Sequence, residues 1–172
     1  APPGTSFVPH TAVAGDAPAS SSRTGTHLIG NARRASQVVM ADMHLTPTQW
    51  SEILAHGRMR SFKAGQVVYK QGQSVRSLFQ VAGGELRAEH EVSDDRPPVV
   101  VGRISAGDIV GELSYLIGGG APDTIIAETD AHLYEIEFDR VAMFFSHHRD
   151  LEIKFLHALA VGLVRRQVLR ES

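Results

Sequence analysis

The sequence predicts a mainly β fold with flanking helices, and two patterns support that prediction. From residue 59 to residue 137, short apolar runs alternate with glycine-containing turns. Many short strands at regular spacing are typical of an antiparallel barrel or sandwich. Helical periodicity is found only before and after this region. We therefore expect a compact antiparallel β-roll, preceded by one helix and followed by two.

The first predicted helix lies in "HLTPTQWSEILAHG", residues 44–57. Thr46 is a candidate N-cap, Pro47 suits the first helical position, and Gly57 is expected to end the helix. The strands are expected within four segments: "RMRSFKAGQVVYKQGQ", "SLFQVAGGELRAEHEV", "PPVVVGRISAGDIVGE" and "TIIAETDAHLYEIE".

Two C-terminal helices are predicted from "EFDRVAMFFSHHR" and from "DLEIKFLHALAVGLVRRQVLRES", the second capped by Asp150. The last helix carries an apolar stripe that can pack on the barrel or on a partner protein. Its terminal residues Arg165, Arg166 and Arg170 suit the negative end of the helix dipole. The predicted stripe consists of Leu151, Phe155, Leu156, Leu159, Leu163 and Val164.

The chain divides by composition into a tail, residues 1–43, and a globular domain, residues 44–172. The tail is rich in Ala, Ser, Thr, Pro and Gly, so alone it cannot bury enough surface to order itself. We predict that it docks on a protein partner. It contains almost no acidic residues and starts at Ala1, which favours a mitochondrial or plastid location, with the cytoplasm as the alternative. "RRASQ" makes Ser36 a candidate phosphorylation site.

Composition argues against several classes of function. The net charge is -2 and the pI is about 6.5, so no basic surface for nucleic acid is expected. No apolar run approaches the ~18 residues of a membrane span, although peripheral association with a membrane complex stays open. The nine histidines lack metal-site spacing and are expected at surface or helix-cap positions. Since no cysteine and no nucleophile motif is present, we expect no enzyme and no metal.

A longer pattern identifies a family. The motif F-x-x-G-x-x-V-x-x-Q-G is formed by Phe62, Gly65, Val68, Gln71 and Gly72, and "SLFQVAGGELRA" and "GRISAGDIVGELSYLIG" follow it. In this order the motifs resemble the cyclic-nucleotide-binding domain of bacterial catabolite activators, kinase regulatory subunits and cyclic-nucleotide-gated channels. The resemblance covers about residues 44–168. It implies a β-roll of the jelly-roll kind.

The resemblance places the ligand site in "GELSYLIGGGAPDTIIAE", residues 111–128. In the family, a glutamate binds the ribose 2′-hydroxyl, while an arginine and the backbone N–H groups of a short helix hold the cyclic phosphate. Here Ala121 stands at the arginine position, Asp123 adds a negative charge, and residues 114–130 contain no Lys, Arg or His. The candidate ligand-binding residues are Gly111, Glu112, Leu113, Ser114, Ala121 and Thr124.

The functional hypothesis follows from the absence of an arginine at position 121. A hydrogen bond to a charged group contributes about 1.5–3 kcal/mol, so losing two weakens binding by roughly two to four orders of magnitude. We therefore expect a non-enzymatic structural or interaction subunit of a larger, organellar assembly, without a cofactor. Its protein partners would dock on the tail and on the C-terminal helix. The alternative is a sensor of cyclic AMP, cyclic GMP or an uncharged nucleoside-like ligand held by Glu112.

Overall fold

The computed structural model describes residues 43–170, with side chains through Val168. The predicted docking segment up to residue 42 and the candidate phosphosite Ser36 lie outside the described residues. The described part contains, in order, α1 (Pro47–Leu54), β1 (Arg58–Phe62), β2 (Val67–Tyr69), β3 (Ser77–Gly83), β4 (Leu86–His90), β5 (Val99–Ile104), β6 (Ile109–Val110), α2 (Glu112–Ile117), β7 (Thr124–Ala127), β8 (Ala131–Glu137), α3 (Phe138–Ser146) and α4 (Arg149–Arg170). This order confirms the predicted fold class.

The strands form two antiparallel four-stranded sheets, ordered β1-β8-β3-β6 and β2-β7-β4-β5. Each of the four apolar segments of the sequence contributes one strand to each sheet. Strand pairing is therefore mostly distant in sequence, as in the pairing of Arg58 with Glu135 and of Leu86 with Ala127. This connectivity produces the jelly-roll arrangement, in which two sheets face each other across one core.

The core between the sheets is built from the inward-facing side chains of both. Leu86 and Leu133 have no exposed surface, and Val81 is almost fully buried. Because burial of apolar surface stabilises a fold by about 25 cal/mol per Å², these strands depend on each other for stability. The larger members of the cluster are Phe62, Tyr69, Phe79, Leu86, Ile104, Ile125 and Leu133.

A second core lies between the helices and the first sheet. It contains Ile53, Leu78, Ile136, Val141, Phe145, Leu151, Phe155 and Leu159. The predicted stripe of α4 is therefore right for Leu151, Phe155 and Leu159 and wrong for two positions. Leu156 and Val164 are exposed, the latter by 62%. Residues spaced by four keep to one narrow face, and these two lie beside that face.

The helix ends differ slightly from the prediction. Thr46 and Gln49 form the expected cap of α1, with side chains bonded to each other's backbone N–H. However, α1 ends at Leu54, because the next N–H groups, those of His56 and Gly57, bond three residues back to the carbonyls of Ile53 and Leu54 in a turn. Helix α4 begins at Arg149, one residue before the predicted cap. Within residues 43–170, no helix has the length and hydropathy to cross a bilayer.

Candidate functional site

A cavity of about 350 Å³ is bounded by the sheet β2-β7-β4-β5, by α2 and by α4. This volume lies at the lower end of the range for small-molecule sites. Helix α4 contributes Leu163, Arg166 and Gln167 to its lining. The apolar wall consists of Ala88, Val101, Ile104, Val110 and Ile125.

The backbone conformation of Gly111 positions the first residues of the predicted site. Its φ of +86° lies in the left-handed region, where a side chain is unfavourable, and a Cβ there would come within 2.5 Å of the Ser77 carbonyl oxygen. The chain can therefore turn sharply from β6 into α2 while packed against β3. As a result, Glu112 begins α2 as a buried residue that faces the cavity.

The loop from 118 to 121 is fixed by a different contact. The Ala121 N–H donates to the Gln73 carbonyl at 2.9 Å, and the Gly72 N–H donates to the Ala121 carbonyl at 2.8 Å. These bonds hold Ala121, buried, in the cavity wall. Thr124 is also buried, but its hydroxyl accepts a hydrogen bond from the Gln71 N–H and is not part of the lining.

The structure thus brings most of the predicted site residues together. Gly111, Glu112, Leu113, Ser114 and Ala121 line the cavity, whereas Thr124 supports the wall from behind. The role of each towards a ligand stays a prediction.

A positively charged side chain, that of Arg166 on α4, also reaches this site. The sequence analysis had given this residue a different role. The Arg166 guanidinium, on α4, pairs with the Glu112 carboxylate, and its Nη1 donates to the Ile109 carbonyl at 2.7 Å. The two side chains are only 18% and 9% exposed. The helix-dipole role predicted for Arg166 therefore misses its main contact. The available signal was its spacing, seven residues after the buried Leu159 and hence on the same helix face.

A second pair, formed by His90 and Asp123, also lines the cavity. The Nδ1 atom of His90, at the end of β4, is 2.9 Å from Asp123 Oδ1 and 3.2 Å from the Pro122 carbonyl oxygen. Both neighbours are acceptors, so Nδ1 carries a hydrogen in either charge state of the ring. The His90 side chain is 44% exposed, as predicted for a surface histidine, but it also lines the cavity. Asp123 is therefore not an isolated negative charge.

Tyr69 adds a neutral polar group. Burial raises the pKa of its phenol, and the nearby Glu112 carboxylate raises the pKa further. The hydroxyl therefore stays protonated at physiological pH. Together, an apolar wall, a neutral hydroxyl, a guanidinium–carboxylate pair and a histidine–carboxylate pair suit a ligand with a flat apolar part and a polar, charged part.

Comparison with known proteins now decides the family. The model of the cyclic nucleotide-binding domain matches residues 59–148. This chain belongs to the cyclic nucleotide-binding domain family. The match confirms the resemblance predicted from the motifs. It ends before α4, so Arg166 lies outside the matched residues.

Two relatives in sequence are informative. Over 135 residues the chain is 32% identical to cyclic GMP-binding protein C of Dictyostelium discoideum, covering 74% of this chain and 5% of that protein. Over 115 residues it is 29% identical to the CRP-like protein Clp of Xanthomonas oryzae pv. oryzae, covering 66% of this chain and 50% of that protein. The chain therefore spans half or less of the length of these relatives.

Solved structures agree with the fold. The c-di-GMP responsive global regulator CLP of Xanthomonas campestris has a TM-score of 0.66 and 25% identity, over 72% of this chain and 60% of that chain. A cyclic nucleotide-binding domain from Methylobacillus flagellatus has a TM-score of 0.67 and 15% identity, over 73% of this chain and 70% of that chain. At such low identity, the second likeness concerns the fold alone.

Proposed function

We propose that this domain is a sensor that binds a cyclic nucleotide in the cavity between the β-roll and α4. The observation that carries the proposal is the joint lining of this cavity by Glu112 and Arg166, which connects the predicted ligand site to the C-terminal helix. The names of two similar proteins, a cyclic GMP-binding protein and a c-di-GMP responsive regulator, support the same function. The alternative of the sequence analysis thus becomes the preferred function.

The lining suggests how each part of the ligand is held. The apolar wall can cover a base, the Glu112 carboxylate can accept a hydrogen bond from a ribose hydroxyl, and Arg166 reduces the negative charge that a phosphate meets. The cavity volume of about 350 Å³ favours a cyclic mononucleotide over a dinucleotide. Cyclic GMP is therefore the first ligand to test.

A ligand at Glu112 would also change the contact between Glu112 and Arg166, which holds α4 in place. The Arg166 guanidinium and a ribose hydroxyl compete for the same carboxylate, so a bound ribose loosens or re-aims the α4 contact. A ligand shifts a conformational equilibrium only through such a difference in contacts between two states. Helix α4 is thus the element through which binding is reported to the rest of the protein.

Calorimetric titration of the 172-residue chain with cyclic GMP, cyclic AMP, cyclic di-GMP and guanosine tests the proposal. We expect saturable binding of a cyclic mononucleotide, with 2′-deoxy cyclic GMP binding about 10- to 100-fold more weakly, because it lacks the hydroxyl donated to a charged acceptor. The preference for the 2′-hydroxyl should shrink in E112Q. It should persist in E137Q, which changes an exposed carboxylate outside the cavity. Absence of binding by every ligand at millimolar concentration contradicts the proposal.

A structural or docking role is a second candidate, supported by the exposed apolar side chains Ile153, Val164 and Val168 on α4. Protein partners on this helix, docking through the tail, the organellar location and the absence of enzymatic activity all stay predictions. If docking occurs on α4, the double variant I153S/V164S should no longer co-migrate with a large native complex. Its ligand affinity should stay unchanged. Co-migration of this variant with the complex contradicts that role.

A further inference from the structure

We infer that this domain has a second binding site, which takes a small planar aromatic carboxylate. The site is a cavity between α4, the start of α1 and the turn that leads into β6. Its described lining shares Glu112 and Arg166 with the first cavity and is otherwise different. Binding here is therefore independent of whether the first cavity holds a cyclic nucleotide.

The second cavity has room for a small ligand. Its volume is about 310 Å³, close to that of the first cavity and at the lower end of the range for small-molecule sites. Leu45 and Trp50 line it from the start of α1, and Ile109 lines it from β6. Leu159 adds apolar surface from α4. A ligand with an apolar part can therefore be covered on more than one side.

Aromatic rings from two elements also line this cavity. The His44 ring, before α1, meets the His157 ring of α4 edge to face, with ring centres 6.0 Å apart. The Trp50 indole packs edge to face on Phe155, also with ring centres 6.0 Å apart. Aromatic groups gain from stacked and edge-to-face contacts beyond the burial of their area. The rings therefore favour a planar aromatic ligand over an aliphatic one.

A glycine keeps one wall of this cavity open. Gly162 lies in the interior of α4, where glycine is less favourable than any residue except proline. Its φ is not in the left-handed region, and a Cβ there would meet no heavy atom within 4 Å beyond its own stretch of helix. Neither backbone conformation nor close packing therefore requires this glycine. Since Gly162 lines the cavity, its missing side chain leaves space for a ligand.

A guanidinium on the lining selects the charge of the ligand. Arg165 forms no hydrogen bond or ion pair with another described residue, whereas Arg166 pairs with Glu112. The remaining carboxylate of the described lining, that of Asp108, accepts a hydrogen bond from the Ser105 N–H in its own turn. A guanidinium can bind a carboxylate through two parallel hydrogen bonds. Arg165 can therefore hold the acidic group while the rings cover the aromatic part.

The test uses Trp50, the chain's single tryptophan, which lines this cavity and not the first one. In the ¹⁵N-labelled 172-residue chain, titration with 2-naphthoate should shift the indole N–H resonance saturably. The neutral isostere 2-naphthamide should bind about tenfold more weakly or less, because it lacks the charged group for Arg165. An indole resonance that does not move at millimolar 2-naphthoate would overturn the inference.

Two variants locate the ligand. R165Q should remove the preference for 2-naphthoate over 2-naphthamide, whereas R140Q, at an exposed arginine outside the cavity, should keep it. G162L should fill the open wall and abolish binding of both compounds. A160L places the same side chain at an exposed position outside the lining and should bind normally. Unchanged 2-naphthoate affinity in either R165Q or folded G162L would overturn the inference, and R165Q decides alone if G162L does not fold.

Discussion

The two charged pairs of the cavity are held in opposite ways. The Glu112–Arg166 pair is buried, and a guanidinium keeps its charge at any physiological pH. The His90–Asp123 pair is partly exposed, and its attraction depends on a proton. The comparison teaches that one site can combine a buried pair, which anchors a helix, with a partly exposed pair, which joins the end of β4 to the loop before β7.

Removing the Arg166 guanidinium should have the largest effect on stability. R166A leaves the buried Glu112 carboxylate without its guanidinium partner, and breaking a buried pair costs about 3 kcal/mol. We expect this loss in the free energy of unfolding from urea denaturation. R165A, at an exposed neighbouring position, should change it by less than about 0.5 kcal/mol. Equal losses in the two variants would mean that the pair does not anchor α4.

The neutral Tyr69 hydroxyl on the cavity lining should matter less. Y69F removes a hydrogen-bonding group, at a cost of about 1 kcal/mol in the free energy of unfolding. Burial and the Glu112 carboxylate raise the pKa of Tyr69, so its hydroxyl carries no charge between pH 6 and pH 9. The pH dependence of cyclic GMP affinity should therefore be the same in Y69F and in the wild type. A changed dependence would show that the Tyr69 hydroxyl ionises in this range.

The His90–Asp123 pair should contribute least to stability. Partly exposed ion pairs are worth about 0–1 kcal/mol, so H90Q should change the free energy of unfolding by about 0.5 kcal/mol or less. A stability loss in H90Q as large as that in R166A would remove the distinction between the two pairs.

Local signals in the sequence predicted the fold well. Turn glycines and short apolar runs located the segments that contain the strands, and Thr46 was read correctly as a helix cap. The family motif also identified most of the cavity lining at residues 111–121. These features depend on neighbouring residues, whose conformational preferences are visible without knowing the tertiary structure.

The charges of the site depend on tertiary contacts, and for this reason the sequence did not reveal them. Glu112 and Arg166 are separated by 54 residues, and their pairing requires α4 to lie over the cavity. His90 meets Asp123 because β4 pairs with β7, with Glu89 opposite Thr124. Counting cations within residues 114–130 alone therefore made the site look more acidic than it is.

The jelly-roll connectivity has a consequence for how this domain is made. Its strand pairs join residues far apart in the chain, so closing the roll requires long loops to close before many contacts form, which slows folding. The ligand cavity collects groups from Tyr69 to Gln167. During synthesis, the site is complete only after almost the entire domain has emerged, so a partly translated chain should neither bind the ligand nor be stabilised by it.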